Sequence, residues 1–402
     1  MANGTDCDGF DADLDDLPTS LQESIKNIIK EEGYVRHKVE KRIIPQVGNF
    51  TSILYEVDIT GDTVDGEKKT PLFIKKSVTI DKITIVKMSD LYCLELFIYN
   101  DLFRVCTGLQ DAAYVPEKER FTFLKQYKSD KDCVIMENLS KKGFKTYDKT
   151  EVIPQRFVEL SIMRLAKFHA LSFVIKKEIP KYFDGKIKVI RSPYAVNKDM
   201  KGFIHNMCAA TAQVMNGEAK VKMSNYAQRM IQTYCKYVRD DVPLNGCLCH
   251  GDYKFLNIMV KEVVSDGEPS EVLPIDYQLA YYGNPVNDFL FFIYSCTDRD
   301  FRKKHLNYLK DLYFEQFAKF LSYFNMDINS TYSRQDFEND YEERLELGLV
   351  FGLYISAFTY AHIEEGFDVT TMSLSELTIV PDEMFANHVR GIVEDYIDWG
   401  YL

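Results

Sequence analysis

Two short polar segments in the second half of the sequence carry residue types that suit one kind of chemistry. In CLCHGDYKFLNIMV an apolar run leads to Asp252, and Asn257 follows five positions later. In EVLPIDYQLAYYG a second apolar run leads to Asp276. Each segment is typical of a strand that delivers its acidic residue to a polar turn. We therefore expect these three side chains to lie near one another.

Phosphoryl transfer needs such a set of groups. Its transition state spreads negative charge over the transferred group, so the enzyme mainly positions the reactants and supplies positive charge. Asp276 and Asn257 offer the hard oxygen ligands that Mg²⁺ prefers, and Asp252 can accept the proton of an attacking hydroxyl. The spacing Asp-x4-Asn is that of the protein-kinase catalytic loop. Aspartates and asparagines also cap ordinary turns, but both segments together, in this order, favour the catalytic interpretation.

The wider pattern resembles a known family. The segments HGDYKFLNIM, IDYQ and GNPVNDF, in that order, resemble the ecdysteroid-kinase-like group, which is related to choline kinases and aminoglycoside phosphotransferases. The resemblance extends over roughly residues 30–365. It implies an α+β, two-lobed protein-kinase-like fold, with a small antiparallel β-rich N-terminal lobe and a larger, mainly helical C-terminal lobe. It also implies ATP and Mg²⁺ as cofactors.

The resemblance assigns two charged residues of the N-terminal lobe to the nucleotide. In the strand PLFIKKSV, Lys75 matches the lysine that binds the α- and β-phosphates. Lys76 is the weaker match, because neighbouring residues of a strand point to opposite faces. In the helix LYCLELFIYNDLF, Glu95 would pair with Lys75, and Tyr99 completes the matching pattern. Taken alone, the lysine and the glutamate would read as solvated surface charges.

Two further segments match nucleotide-binding positions of the family. QVGNFTS occupies the place of the phosphate loop, where backbone N–H groups between Gly48 and Ser52 could hold phosphate. VIMENL resembles the hinge between the lobes, where Met136, Glu137 and Leu139 would border the adenine.

Three residues near these motifs are interpreted as structural or remain unassigned. Asp288 opens the helix DFLFFIYS, and we expect its carboxylate to brace the catalytic loops. His169 lies among apolar residues of a helical segment and is expected to be a core residue. Gln278 belongs to IDYQ, and its role stays open.

A C-x-C-H motif is formed by Cys247, Cys249 and His250. No fourth ligand follows at zinc-like spacing, so no zinc site is predicted.

The periodicity of the chain divides it into parts that could position these groups. Residues 1–17 carry six Asp and no Lys or Arg, which is typical of an acidic flexible tail. Residues 18–138 are predicted to form the nucleotide-binding lobe, and 139–402 the helical lobe with the catalytic loops and the acceptor site. Helices are predicted at 18–30, 87–105, 154–175, 197–238, 302–324, 334–361 and 381–397. Strands are predicted at 39–46, 51–60, 71–80, 121–127 and 132–137, with more β structure within 246–277.

Composition narrows the choice of partners. The formal net charge of −12 argues against nucleic acid and anionic membrane surfaces. The run LGLVFGLYISAFTYAHI is shorter than the roughly 20 residues of a membrane span, and the start of the sequence lacks the features of a secretory signal. Nine scattered cysteines show no disulfide framework. We therefore expect a cytoplasmic protein without a membrane span.

The predicted reaction is transfer of the γ-phosphate of ATP to a hydroxyl of a small molecule, and the resemblance implies an ecdysteroid or a related alcohol as the acceptor. A small acceptor is favoured over a protein because the motifs are HGD and DYQ, rather than HRD and DFG, and no APE follows. Two alternatives remain open. One is a choline- or ethanolamine-type kinase, and the other is a non-catalytic pseudokinase that only binds ligands.

Overall fold

The computed structural model describes residues 14, 17–44, 52–78, 84–127, 133–265, 267–363 and 372–402. The chain divides into two compact units. The first unit comprises Met1–Ile80, Met88–Arg104 and Phe123–Lys145, and the second comprises Asp81–Lys87, Val105–Thr122 and Thr146–Leu402.

The first unit is built on an antiparallel sheet with the strand order β1-β2-β3-β4. Its strands are β1 (Tyr34–Ile44), β2 (Ser52–Thr63), β3 (Gly66–Ser77) and β4 (Cys133–Glu137). Alternating side chains of β2 and β3 are buried, as a sheet with one covered face requires. The pairing sets Lys75 of β3 opposite Leu54 of β2 and Val134 of β4.

The apolar core of this unit includes the helix α1 (Thr19–Glu31). The buried residues of α1 recur at helical spacing, so they form one face: Leu21, Ile25, Ile28 and Ile29. They belong to one hydrophobic cluster with Val57, Ile59, Leu72 and Ile74. Leu14 and Leu17, from the end of the predicted acidic tail, are buried in the same cluster. The rest of that tail lies outside the described residues.

A nearly continuous helical stretch follows the sheet strands. It begins with α2 (Met88–Phe97), passes through a π-helical turn at Ile98–Leu102 and continues as α3 (Phe103–Ala112). The single helix predicted for residues 87–105 is thus longer than expected and contains a π-turn.

The second unit is mainly helical. Its helices after α3 are α4 (Gln155–Glu178), α5 (Pro180–Tyr182), α6 (Lys198–Gln213), α7 (Gly217–Ser224), α8 (Ala227–Tyr234), α9 (Pro285–Cys296), α10 (Arg299–Ser322), α11 (Ile328–Thr331), α12 (Arg334–Thr359) and α13 (Glu383–Asp398). One more strand of the first unit is β5 (Phe144–Lys145). The second unit also contains the strands β6 (Cys247–Cys249), β7 (Ile258–Glu262), β8 (Pro269–Pro274), β9 (Tyr281–Gly283), β10 (His362–Ile363) and β11 (Ile379–Val380). β6 pairs with β9 and β7 pairs with β8, both antiparallel.

The predicted α+β class, with a small antiparallel sheet and a larger helical part, is confirmed. Two further local predictions differ from the structure. The helix predicted at 197–238 is broken into α6, α7 and α8, and the breaks fall at residues 214–216 and 225–226. The strand predicted at 121–127 forms a single bridge, from Gln126 to Met136. The predicted lobe boundary at residue 138 stays a prediction.

The long apolar run that begins at Leu347 lies largely within α12, where most of its side chains are buried. Among the described residues, no helix is both long and apolar enough to span a membrane.

Candidate active site

The second unit brings the two polar segments together through backbone contacts. β6 ends at Cys249 and is followed by the His250-Gly251-Asp252 turn. The His250 Nε2 atom donates to the carbonyl oxygen of Ile275, at 3.0 Å. The Ile275 N–H donates to the carbonyl oxygen of Asn257, at 2.9 Å. Because Ile275 directly precedes Asp276, these two bonds bring the loop of Asp252 and Asn257 next to the loop of Asp276.

His250 is held in a single protonation form. Burial lowers the pKa of this imidazole, so it stays neutral near pH 7. The carbonyl of Ile275 can only accept, so the proton is on Nε2, and Nδ1 faces the Asp252 N–H at 3.4 Å. His250 therefore connects the two loops and positions the residues beside it.

Asp288 braces the turn before Asp252, as the sequence predicts. It lies in the first turn of α9. Its carboxylate accepts from the N–H of His250 at 2.5 Å and from the N–H of Gly251 at 3.0 Å. Gly251 has φ +79°, and a Cβ there would lie 2.1 Å from the carbonyl oxygen of Leu279. The turn therefore requires glycine at this position.

Asp252 is buried, with 6% of its surface exposed, and is surrounded by donors. The side-chain amide of Asn257 donates to its backbone carbonyl at 3.0 Å and to its carboxylate at 2.8 Å. The Lys254 ammonium contacts both carboxylate oxygens, at 2.9 and 2.7 Å. Burial raises the pKa of Asp252, Lys254 lowers it and Asp276 raises it. The carboxylate thus lies in a site that disfavours charge, with the Lys254 ammonium as its counter-charge.

Asn257 and Asp276 fit the predicted metal site. Since the Asn257 amide nitrogen is directed at Asp252, its Oδ1 atom is the group left to face a cation, and it accepts no hydrogen bond from the described part of the chain. Asp276 has φ +67° and ψ +64°, a left-handed conformation that few non-glycine residues adopt. Such strain is common where a side chain must be aimed at a ligand. An amide oxygen and a carboxylate form a donor set that suits Mg²⁺.

The first unit contains the predicted nucleotide-binding ion pair. The Lys75 ammonium donates to Glu95 Oε2 at 2.8 Å, and the side chains are only 7% and 1% exposed. Lys75 projects from β3 and Glu95 from α2. The alternative interpretation, two solvated surface charges, is therefore wrong. Their assignment to nucleotide phosphates stays a prediction.

Four of the other predicted nucleotide-binding residues are described, and all four belong to the same unit. Ser52 opens β2 and is fully buried. Met136 and Glu137 close β4, and Leu139 begins the 3₁₀ turn that follows. Gly48 lies outside the described residues. The Asn138 side chain between them donates to Glu56 at 3.1 Å and accepts from the N–H of the next residue but one, Ser140.

A cluster of potential metal ligands lies next to the His250-Gly251-Asp252 turn. Ligand atoms of His169, Cys247 and Cys249 lie within 4.8 Å of one another, and all three residues are buried. The two ring nitrogens of His169 are already bonded to Tyr313 and to Asp288. Burial raises the pKa of both thiols, which disfavours the thiolates that bind zinc. The contacts of His169 agree with its predicted role as a core residue.

The comparison with protein families shows which family the chain belongs to. A sequence model described as the Ecdysteroid kinase-like family matches residues 46–326, which is more than half of the chain. This protein belongs to the ecdysteroid kinase-like family. The predicted family is thereby confirmed, and the small antiparallel sheet and the larger helical unit agree with the predicted two-lobed α+β fold.

Solved structures similar to this ecdysteroid kinase-like protein are distant. The GDP complex of aminoglycoside 2'-phosphotransferase-IIIa is 12% identical with a TM-score of 0.39, and the match covers 84% of this chain and 98% of that one. Glucosamine kinase, in crystal form A, is 10% identical with a TM-score of 0.31, covering 92% and 95%. No curated protein matches.

Lys254 is the residue of this ecdysteroid kinase-like protein that sequence reasoning missed. It stands two positions after Asp252, where a lysine reads as an ordinary surface charge. In the structure its side chain is mostly buried and bridges both carboxylate oxygens of Asp252. Its position two residues after Asp252 is the feature of the sequence that could have identified it as a candidate site residue.

Proposed function

We propose that this protein transfers the γ-phosphate of ATP to a hydroxyl group of a small molecule. The observation that carries the proposal is the buried Asp252 carboxylate, held by Asn257 and Lys254 in a turn that is bonded to the Asp276 loop. An aspartate fixed in this way is oriented to accept a proton rather than to cap a turn.

The proposed reaction uses Asp252 as the proton acceptor. The acceptor hydroxyl oxygen forms a bond to the γ-phosphorus, the bond from that phosphorus to the leaving oxygen of ADP breaks, and the hydroxyl proton moves to Asp252. Asn257 holds the carboxylate oxygen at 2.8 Å, so the base does not have to reorient during the reaction. Lys254 keeps this carboxylate ionised and places a positive charge beside the transferred group.

Mg²⁺ would be held by Asn257 and Asp276, and when bound it would neutralise phosphate charge. Lys75 would bind the α- and β-phosphates, and Glu95 would hold the lysine in position. Gly48, Ser52, Met136, Glu137 and Leu139 are proposed to contact the phosphates or the adenine, on the resemblance alone.

The acceptor is proposed to be an ecdysteroid or another small alcohol, which rests on the family's description. A cytoplasmic location is part of the proposal, because ATP is needed, and the described cysteines are all free thiols. A pseudokinase without turnover is disfavoured, since Lys75, Glu95, Asp252, Asn257 and Asp276 are all present.

The proposal is tested by measuring ADP release from Mg-ATP in the presence of single acceptors. Ecdysteroids, choline, ethanolamine and plant alcohols form a suitable panel, and Asp252→Asn protein is the background control. We expect at least one uncharged alcohol to stimulate ADP release above that control. Stimulation by choline or ethanolamine alone would favour the alternative kinase, and ATP binding without stimulation by any acceptor would favour the pseudokinase.

A further inference from the structure

Two tyrosines far apart in the sequence share a hydrogen bond close to Asp252. The hydroxyl oxygens of Tyr194 and Tyr354 lie 2.7 Å apart, and both residues are partly exposed. Tyr194 lies in the segment before α6, and Tyr354 lies on α12. In the described part of the chain, neither hydroxyl makes another hydrogen bond. Because one shared bond uses only one of the two protons, the pair retains an O–H donor for a ligand.

Both segments that carry these tyrosines pack near the Asp252 turn. Tyr360, at the end of α12, lies against Phe255, with ring centroids 6.5 Å apart. Tyr282, which bonds to Ile190, lies on β9, and β9 pairs with β6, the strand that leads to Asp252. Burial is the main cause that raises the pKa of each hydroxyl of the pair, and the negative charge of Asp252 raises both further. Both hydroxyls are therefore protonated and neutral near pH 7.

The segment that carries Tyr194 is fixed although it forms neither helix nor strand. The Ile190 carbonyl accepts from the N–H of Tyr282 at 3.1 Å, and the Ala195 N–H donates to the carbonyl of Ile85 at 2.7 Å. Between these bonds, Ser192 shares a hydrogen bond of 2.7 Å with Tyr234. The position of the Tyr194 ring is thus set before any ligand binds, which lowers the entropic cost of recognition.

An aromatic surface adjoins the pair. The ring of Tyr354 lies 5.0 Å from that of Phe358, one turn further along α12, and Phe358 lies 5.0 Å from Phe203. Phe203 is fully buried and supports the cluster, whereas Phe358 is 36% exposed. An exposed ring next to a polar pair combines apolar contact with one oriented donor, as small-molecule sites commonly do.

We propose that Tyr194 and Tyr354 bind an uncharged oxygen of the acceptor, and that Phe358 contacts the apolar body of the same molecule. The inference rests on the proposed function, which it deepens by naming acceptor-binding residues. A cationic acceptor is disfavoured because the Asp252 carboxylate is already paired with Lys254 at 2.7 Å and with Asn257 at 2.8 Å. A neutral ring-bearing alcohol matches both the aromatic surface and the free donor.

The test compares acceptor binding by calorimetry, with a non-hydrolysable ATP analogue and Mg²⁺ present. The probes are ecdysone and coniferyl alcohol as uncharged alcohols, and choline as the cation. Tyr194→Phe and Tyr354→Phe remove one hydroxyl each and keep the ring, and Phe358→Ala removes the apolar contact. The matched control is Tyr308→Phe, which deletes an exposed hydroxyl that contacts Glu159.

We expect an uncharged probe to bind, choline to bind at least 10-fold more weakly, and each Tyr→Phe change to weaken binding roughly 3- to 10-fold. Tyr308→Phe should have no effect, and the affinity for the ATP analogue should be unchanged throughout. The inference is overturned if neither uncharged probe binds, if choline binds as tightly, or if both Tyr→Phe variants bind like the wild type. Binding does not require turnover, so a protein that binds the alcohol but releases no ADP refutes only the proposed reaction.

Discussion

The buried ion pair of Lys75 and Glu95 gives one lysine two expected roles, one in stability and the proposed one in nucleotide binding. Removing one partner of such a pair leaves an uncompensated buried charge, which costs about 3–5 kcal/mol. We therefore expect Lys75→Met to lower the free energy of unfolding by about 3 kcal/mol and to weaken ATP binding. Denaturant unfolding and nucleotide titration measure the two effects.

The double variant Lys75→Met/Glu95→Leu separates those two roles. With both charges gone, most of the lost stability should return, because a well-packed apolar pair replaces a buried ion pair at little cost. ATP binding should remain weak. Lys76→Met, on the opposite face of the strand, is the matched control. Recovery of ATP affinity in the double variant would contradict the assignment of Lys75 to the phosphates.

Lys254 should control the pH dependence of the reaction. The proton acceptor must be the ionised carboxylate, so kcat/KM should fall as the pH drops through the pKa of Asp252, which burial raises. Lys254 lowers that pKa, so Lys254→Met should move the acidic limb of the profile to higher pH. Lys261→Met, at an exposed lysine on β7, should leave the limb in place. An unchanged limb in Lys254→Met would mean that Asp252 is not the titrating base.

At the scale of elements, the turn after β6 depends on one glycine. Gly251→Ala would combine the strain of a positive φ with a clash against the carbonyl of Leu279. Gly267→Ala is the matched control, because Gly267 has φ +73° and an open space around its Cβ position. Gly267→Ala should lower the free energy of unfolding by about 1 kcal/mol, because only its backbone is strained. Gly251→Ala should lower it by roughly 3 kcal/mol or more and abolish turnover. Thermal unfolding measures the first effect, and ADP release measures the second. If both variants lost the same free energy of unfolding, the close approach of the Leu279 carbonyl would not explain why position 251 requires glycine.

Periodicity predicted most elements because each buries one face. The apolar residues of α1 and the alternation in β2 and β3 correspond directly to the observed core. The segment 121–127 shows why alternation alone is insufficient. Its backbone makes two hydrogen bonds with the β4 region, at Tyr127 and Lys125, but only one residue pair qualifies as a bridge. Its first residue, Phe121, instead bonds to the buried side chain of Gln110.

At the scale of the whole molecule, the sequence could predict residues within motifs but not distant partners. Asp252, Asn257 and Asp276 are close in sequence, and their spacing alone indicated a site. Tyr194 and Tyr354 carry no motif, since only the folded chain brings them together. Lys254 lies within the motif, but its role depends on its burial. Lysines are mostly exposed, so the sequence alone gives no reason to expect a buried one.

Metal-dependent nucleotide binding should stabilise the whole protein. A ligand at 100 times its Kd adds about 2.7 kcal/mol to the stability of the folded state. We expect Mg²⁺ with a non-hydrolysable ATP analogue to raise Tm, and EDTA to abolish most of that rise. Asp276→Ala should remove the dependence on Mg²⁺. A Tm shift in Asp276→Ala that remains fully dependent on Mg²⁺ would show that the metal is held elsewhere.

The central claim is that Asp252 accepts a proton during phosphate transfer from ATP to a small alcohol. The most direct measurement is transfer of γ-³²P from ATP to an alcohol, in wild-type and Asp252→Asn protein, with ATP affinity determined for both. We expect the wild type to form a labelled phosphoester. Asp252→Asn should lower kcat at least 100-fold, and the two proteins should bind ATP with similar affinity. Transfer by Asp252→Asn at near wild-type rates, or no labelled product from wild-type protein that binds Mg-ATP, would contradict it.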